Sequence, residues 1–202
     1  MPWDFESPEQ MEALDALIER DQKQTEMLRL NTGKPRLSLL PTAFVDQMHV
    51  VNDTVLSYEV ARVMDYGSTK YAMNNWRKSG PWLKVLDSGM RHLYKLLYEG
   101  ETHDEESGLH HAGHLGCNIA FLLEFAKEGD GVDDRYLTKQ MTNTDDMNMY
   151  DLSSVLYLLN NWKDGGPIDD LETAVCSLAL WYAVALDPQY EFQFEDKSDA
   201  DN

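Results

Sequence analysis

The chain has 202 residues and a mass of 23.2 kDa, with 36 acidic against 17 basic side chains, a net charge of −19 and an isoelectric point near 4.5. That length fits one domain, or one domain with an appendage, and 43% apolar residues are enough for a hydrophobic core, which excludes wholesale disorder. The charge argues against a generic nucleic-acid binder and against a protein held on anionic membrane by a polybasic surface.

The opening residues, MPWDFESPEQ, carry neither a positive nor an apolar leader region. No apolar run approaches the roughly 20 residues of a membrane span. A cytoplasmic protein without membrane partners is therefore expected. Cys117 and Cys176 lie in apolar stretches and form no CxxC, so they read as buried thiols of a reducing compartment.

In chain order, Ser7-Pro8-Glu9-Gln10 announces a first helix, with Ser as N-cap and Pro at the first helical position, running to about Leu30. Gly33 and Pro35 break it. Thr42 to Tyr66 predicts one long helix, with Phe44, Val45, Met48, Val51, Val55, Leu56, Val60, Val63 and Met64 on its buried side and Gly67 ending or kinking it. An aromatic and basic connector follows, from Tyr71 to Gly80, and Pro81 starts a helix that ends near Gly100. A short acidic loop leads to a helix over about 108–127. Gly129-Asp130-Gly131 marks a candidate boundary, 130–149 reads as a polar linker, and two helices over about 150–163 and 168–186 form a C-terminal hairpin. An acidic tail covers 188–202. No segment alternates at period two, so the fold class is all-α, a bundle of five to six helices with its catalytic part in residues 1–129. Tyr71-Ala-Met-Asn-Asn-Trp76 also echoes Tyr157-Leu-Leu-Asn-Asn-Trp162, each followed by Gly-Pro and a helix.

The charge is unevenly distributed. Residues 1–28 hold 8 acids and 2 bases, residues 29–95 hold 5 acids and 10 bases, and residues 96–202 hold 23 acids and 5 bases. The basic middle is explained either by an anionic small molecule or by internal ion pairing with the acidic flanks. Five of the six histidines fall between positions 92 and 114, and Glu99, Glu101, Asp104, Glu105 and Glu106 crowd the same stretch. Helical spacing puts His92 and Glu99 on one face, and His111, His114 and Asn118 on a stripe of the next helix. A short loop would make the two helices antiparallel neighbours. Such a cluster can hold a divalent metal for phosphoryl chemistry, or it can be a solvated loop with capping histidines. Tyr66, Tyr71 and Trp76 can likewise stack on a base or belong to the core.

Thr32-Gly-Lys-Pro-Arg36, Tyr66-Gly-x-x-Lys-Tyr71, Asn75-Trp76-Arg77-Lys78, Arg91-His92-Leu93 and the segment GExxDxESGLxHxxHxxxN from Gly100 to Asn118 together resemble the N-terminal domain of the bacteriophage dATP/dGTP diphosphohydrolases, over about residues 31–128. The last segment is the specific one. Ser68 replaces a usual Ala, Asn31 a frequent acid, and the paired ExxE and ExxD helices of MazG proteins are not evident.

The resemblance implies a MazG-like all-α fold and metal-dependent cleavage of dGTP or dATP to the monophosphate and diphosphate, with Mg²⁺ the first choice of metal and Mn²⁺ or Co²⁺ next. Joined to the residue pattern, it assigns Glu101, Asp104, Glu106, His111 and His114 to the metal, and Glu101, Glu106 and His92 to catalysis. Lys34, Arg36, Lys70, Arg77 and Arg91 would meet phosphates, and Tyr71, Asn75 and Trp76 the base. The expected partners are a small dNTP substrate and further copies of the chain in a homo-oligomer, without direct nucleic-acid binding. The opposing reading is a non-enzymatic acidic phage protein, a DNA mimic or an inhibitor of a host factor, built on the negative C-terminal half.

Overall fold

The computed structural model describes Glu12, residues 33–135 and residues 148–186. The expected first helix, the body of the linker and the acidic tail lie outside these residues, save Glu12, which is helical. The chain divides into two compact units, Met1–Lys34 and Pro35–Asn202. Among the described residues six α-helices and no strand occur: α1 Thr42–Val50, α2 Val55–Tyr71, α3 Trp82–Tyr94, α4 His111–Glu128, α5 Leu152–Lys163 and α6 Asp169–Leu186. None is long and apolar enough to cross a membrane.

The helix expected over 42–66 is two helices. Asn52 adopts a left-handed φ of +50°, and the Asp53 carboxylate accepts hydrogen bonds from the Leu56 (3.4 Å) and Ser57 (3.2 Å) amides, so a new helix starts there. The break turns Val45 and Val55 outward, 45% and 37% exposed, whereas Phe44, Leu56 and Val60 are fully buried. At the other end, α2 passes through Gly67 without stopping and closes at Tyr71.

α4 is the axis of the bundle. Its Leu115, Ile119, Leu122, Leu123 and Phe125 are at most 2% exposed, and it packs on α1, α2, α3 and α6. Each such side chain contributes about 1.5–3 kcal/mol by leaving water. Small residues set the approach of α2. A Cβ on Gly113 would lie 2.7 Å from Glu59 Cγ and 3.1 Å from the Glu59 carbonyl oxygen, and one on Gly116 would lie 2.9 Å from Val60 Cγ2.

Residues 130–135, read from composition as the start of a linker, are tied down. Val132 exchanges backbone hydrogen bonds with Gly80 (2.9 Å) and Trp82 (3.0 Å), and Asp134 accepts from the Leu83 amide at 2.9 Å. The Arg135 guanidinium lies over both Trp82 and Trp162, 5.2 and 4.4 Å from the ring centres, and donates to the Trp162 and Gly166 carbonyls. α5 and α6 join the same core through Trp162, Leu159, Leu171 and Val175. The two Asn-Asn-Trp segments differ in conformation. The first leaves α2 through a left-handed Asn74 into a 3₁₀ turn, Asn75–Lys78, and the second lies inside α5.

Two pairs of measurements check this packing. Gly113→Ala is expected to lower stability by about 1–2 kcal/mol, because backbone crowding outweighs the gain in helix propensity. Gly67→Ala, whose Cβ meets nothing within 4 Å, is expected to raise stability by about 0.5–1 kcal/mol in the same urea titration. Burial pushes the Cys117 and Cys176 thiols up to about 12 and about 11. Both should therefore label with a thiol reagent at pH 8 at least about 100-fold more slowly in the native protein than in urea.

Candidate active site

The turn between α3 and α4 builds the site, and its sequence spacing explains its shape. The Asp104 carboxylate accepts from the Ser107 amide (2.9 Å) and hydroxyl (2.9 Å), and the Asp104 carbonyl accepts from the Gly108 amide at 2.8 Å. Gly108 has φ +69°, a conformation that costs a side-chain-bearing residue about 1 kcal/mol or more. The Asp104 amide donates to the Leu109 carbonyl and the His111 amide to the Thr102 carbonyl, so this acidic segment is a knotted turn. The His110 ring then accepts from the Ala112 amide, capping α4, and buried Glu59 of α2 accepts from the His110 amide at 3.2 Å.

α3 and α4 run antiparallel: Gly89 faces Leu115 and Asn118, while His92, one turn later, meets His111 and His114. His92 Nδ1 lies 2.9 Å from His111 Nδ1, and the His92 ring stacks on His114 at 4.5 Å. One donor atom from each of His92, Asp104 and His111 falls within a mutual 4.8 Å. His111 is 3% exposed, and its Nε2 is buried without a hydrogen-bond partner. An orphaned nitrogen of that kind costs about 1–3 kcal/mol, so this atom fits a ligand better than a satisfied core histidine.

Burial and the neighbouring His114 and His111 push His92 down to about 4, and burial also lowers His111 and His114, so all three imidazoles are held neutral. Burial would raise Asp104, but the Ser107 amide and hydroxyl and the imidazoles hold its carboxyl below the usual range.

A cavity of about 550 Å³ opens from this cluster. Lys84, Ser88 and His92 line it from α3 at intervals of four, so Lys84 stands about 12 Å along the helix from His92. Opposite, α4 supplies His114, Asn118, Phe121 and Phe125. One end is therefore polar and histidine-rich and the other aromatic. Tyr66, Lys70, Tyr71, Asn75 and Trp76 close a side wall, where Ala72, Asn74 and Ser79 all have φ above +50°.

The sequence-derived candidates divide. His92, Asp104, His111 and His114 converge. Glu106 lines the cavity but is ion-paired with Lys70 and bonded by Tyr66, and Lys70 first holds its carboxyl below the usual range. Glu101 is not in the cluster. The helix widens into a π turn over Lys95–Glu99, which breaks the i, i+7 register, and Lys95 bridges Glu99 (2.7 Å) and Glu101 (2.9 Å). Arg36 is spent on Asp65 and Ser68, Arg91 is exposed outside the cavity lining, and Lys34 belongs to the first unit. Trp76 is already stacked on Phe121 at 4.9 Å with the Arg77 guanidinium 4.5 Å over it, and Arg77 reaches Glu124 at 4.0 Å. Among the described residues Lys84 makes no ion pair, and sequence reasoning missed it. Its only signal was a spacing of eight from His92. Ser107 was also given no role.

The family model described as dATP/dGTP diphosphohydrolase, N-terminal, matches residues 24–135. The chain belongs to that family. The matched span takes in every element of the turn and cavity named above, from the TGKPR segment to Arg135. A Salmonella phage PMBT28 protein described as a dATP/dGTP diphosphohydrolase is 32% identical over 111 residues. That match covers 54% of this chain and 32% of the phage protein, so the chain corresponds to about a third of its relative. No solved structure shows a significant match.

One titration tests the wall of the cavity. In Lys70→Ala the Glu106 carboxyl is expected to titrate higher than in the unaltered chain, where it titrates below the usual glutamate range. Carboxyl-detected NMR reads this, and an unmoved Glu106 would show that the ion pair does not exist in solution.

Proposed function

We propose that the chain hydrolyses a purine deoxynucleoside triphosphate, dGTP or dATP, to the monophosphate and diphosphate. Family membership supports the substrate class. The observation that carries the reading is one cavity joining a neutral-histidine and carboxylate cluster to lysines and an aromatic wall. Its size is within the usual 300–1,000 Å³ of small-molecule sites.

The donor set fits a divalent cation, as the orphaned His111 Nε2 and the grouping of one donor atom each from His92, Asp104 and His111 within 4.8 Å indicate. His92, Asp104 and His111 would hold it. Two imidazoles and one carboxylate favour Mn²⁺ or Co²⁺ over Mg²⁺, which takes oxygen ligands and retains its waters. Such an ion, when bound, neutralises phosphate oxygens and acidifies water.

The chain's own groups supply the rest. His114, held neutral at the polar end, accepts the proton of the attacking water. Oxygen adds to the α-phosphorus, and the bond to the α–β bridging oxygen breaks with departure of diphosphate. Lys70, on leaving Glu106, offsets charge on the phosphates, whereas Lys84, which makes no ion pair among the described residues, stands at the aromatic end of the cavity. Phe121, with Phe125 and Pro81, offers an apolar wall for the base. Trp76 supports Phe121 instead of presenting an open face. Assembly of several copies into a homo-oligomer belongs to the same reading.

A panel of dNTPs with Mn²⁺, Co²⁺ and Mg²⁺, with products identified by chromatography, tests the reading. Monophosphate plus diphosphate from dGTP or dATP is expected, fastest with Mn²⁺ or Co²⁺. Asp104→Ala should lower kcat/KM by at least about 100-fold, and His111→Ala should weaken Mn²⁺ binding at least about 10-fold by calorimetry. Release of intact triphosphate, or no hydrolysis of any dNTP, would sink it.

A further inference from the structure

Ser107 sits between Asp104 and His114 and makes four hydrogen bonds. Its amide and its hydroxyl both meet Asp104 Oδ2 at 2.9 Å, its Oγ lies 2.8 Å from His114 Nε2, and the Leu109 amide donates to the same Oγ at 3.2 Å. Asp104 and His114 lie farther from each other, 3.9 Å between Oδ2 and Nε2, so the serine is the link between them.

Donor and acceptor counting fixes the direction of this link. A serine hydroxyl has one proton and two lone pairs. A carboxylate has no proton to give, so the hydroxyl proton goes to Asp104, and one lone pair is taken by the Leu109 amide. The remaining lone pair must accept from His114, which therefore carries its proton on Nε2 and leaves Nδ1 as the basic nitrogen. The opposite tautomer would set the Nε2 lone pair against a hydroxyl oxygen whose proton already serves Asp104.

We propose that Ser107 is a positioning residue that locks His114 as its Nε2–H tautomer, reserving Nδ1 for proton transfer. The lock works through Asp104: the same carboxylate that offers a ligand oxygen orients the hydroxyl that orients the imidazole. This assignment of His114 rests on the hydrolytic reading above, whereas the tautomer itself does not. The spacing Asp104-x-x-Ser107-Gly108 is what allows one turn to hold both partners, since the Asp104 side chain reaches back to the serine amide three residues on.

Long-range ¹⁵N–¹H correlation spectra of the imidazoles, recorded on the full chain without added metal, read the tautomer directly. The His114 signals are assigned by their loss in His114→Gln. The unaltered chain is expected to show His114 protonated at Nε2. Ser107→Ala should give a mixture or the Nδ1–H form, and Ser107→Thr, which keeps the hydroxyl, should retain the original pattern. In turnover, Ser107→Ala should lower kcat about 10–100-fold with KM within about 3-fold, and Ser107→Thr should recover most of it. Co²⁺ affinity, followed by visible absorption, should fall less in Ser107→Ala, which keeps the backbone amide on Asp104, than in His111→Ala, which removes a ligand. An Nδ1–H form in the unaltered chain, or an unchanged tautomer in Ser107→Ala, overturns the proposal. If no dNTP is hydrolysed, the spectra still decide it, and only the hydrolytic reading fails.

Discussion

A side chain on Gly113 would lie 2.7 Å from Glu59 Cγ and 3.1 Å from the Glu59 carbonyl oxygen, so α2 and α4 meet as they do only because that position has none. The consequences run into the site. With the two helices this close, the buried Glu59 carboxylate reaches the His110 amide and fixes where α4 begins. The start of α4 fixes His111 and His114, and these stand against His92 because α3 packs antiparallel on the same helix. A shift of α4 by one residue would turn each of these rings by roughly 100°. The cluster is therefore set by helix packing first and by its own hydrogen bonds second.

Electrostatics follows the same geometry. The basic middle of the sequence has two explanations, internal pairing and an anionic ligand, and the structure shows the pairing for several of these cations. Arg36, Arg77, Lys70 and Lys95 pair with Asp65, Glu124, Glu106, and Glu99 with Glu101. Pairs this exposed contribute little to the stability of the fold. Lys84 alone faces the cavity without such a partner among the described residues. The histidines are the reverse case: burial keeps them neutral, the state in which an imidazole can bind a cation or accept a proton.

Much of the fold was legible in the chain itself. Apolar periodicity located α3, α4, α5 and α6 to within a few residues, and the Pro81 and Gly129 signals sit at helix ends. The one long helix over 42–66 was an error of reading. Continuous apolar periodicity outweighed Asn52-Asp53-Thr54, which is a turn-and-cap signal. Composition likewise marked residues 130–135 as linker, because a polar strap anchored by Arg135 over two tryptophans has no periodicity to reveal it.

At the site, the sequence determined by itself that histidines and carboxylates meet at one turn, since that clustering is local and helical spacing projects it in three dimensions. It also determined the tight turn, because Asp104, Ser107 and Gly108 interact within five residues. Only the tertiary structure decided which members of the cluster share a centre. Glu101 and Glu106 have the same chemistry as Asp104, but lysines from α2 and from the end of α3 claim them, and a π turn rotates Glu99 away. Lys84 and the occupied face of Trp76 were likewise hidden, because long-range neighbours decide what a side chain has left to offer a ligand.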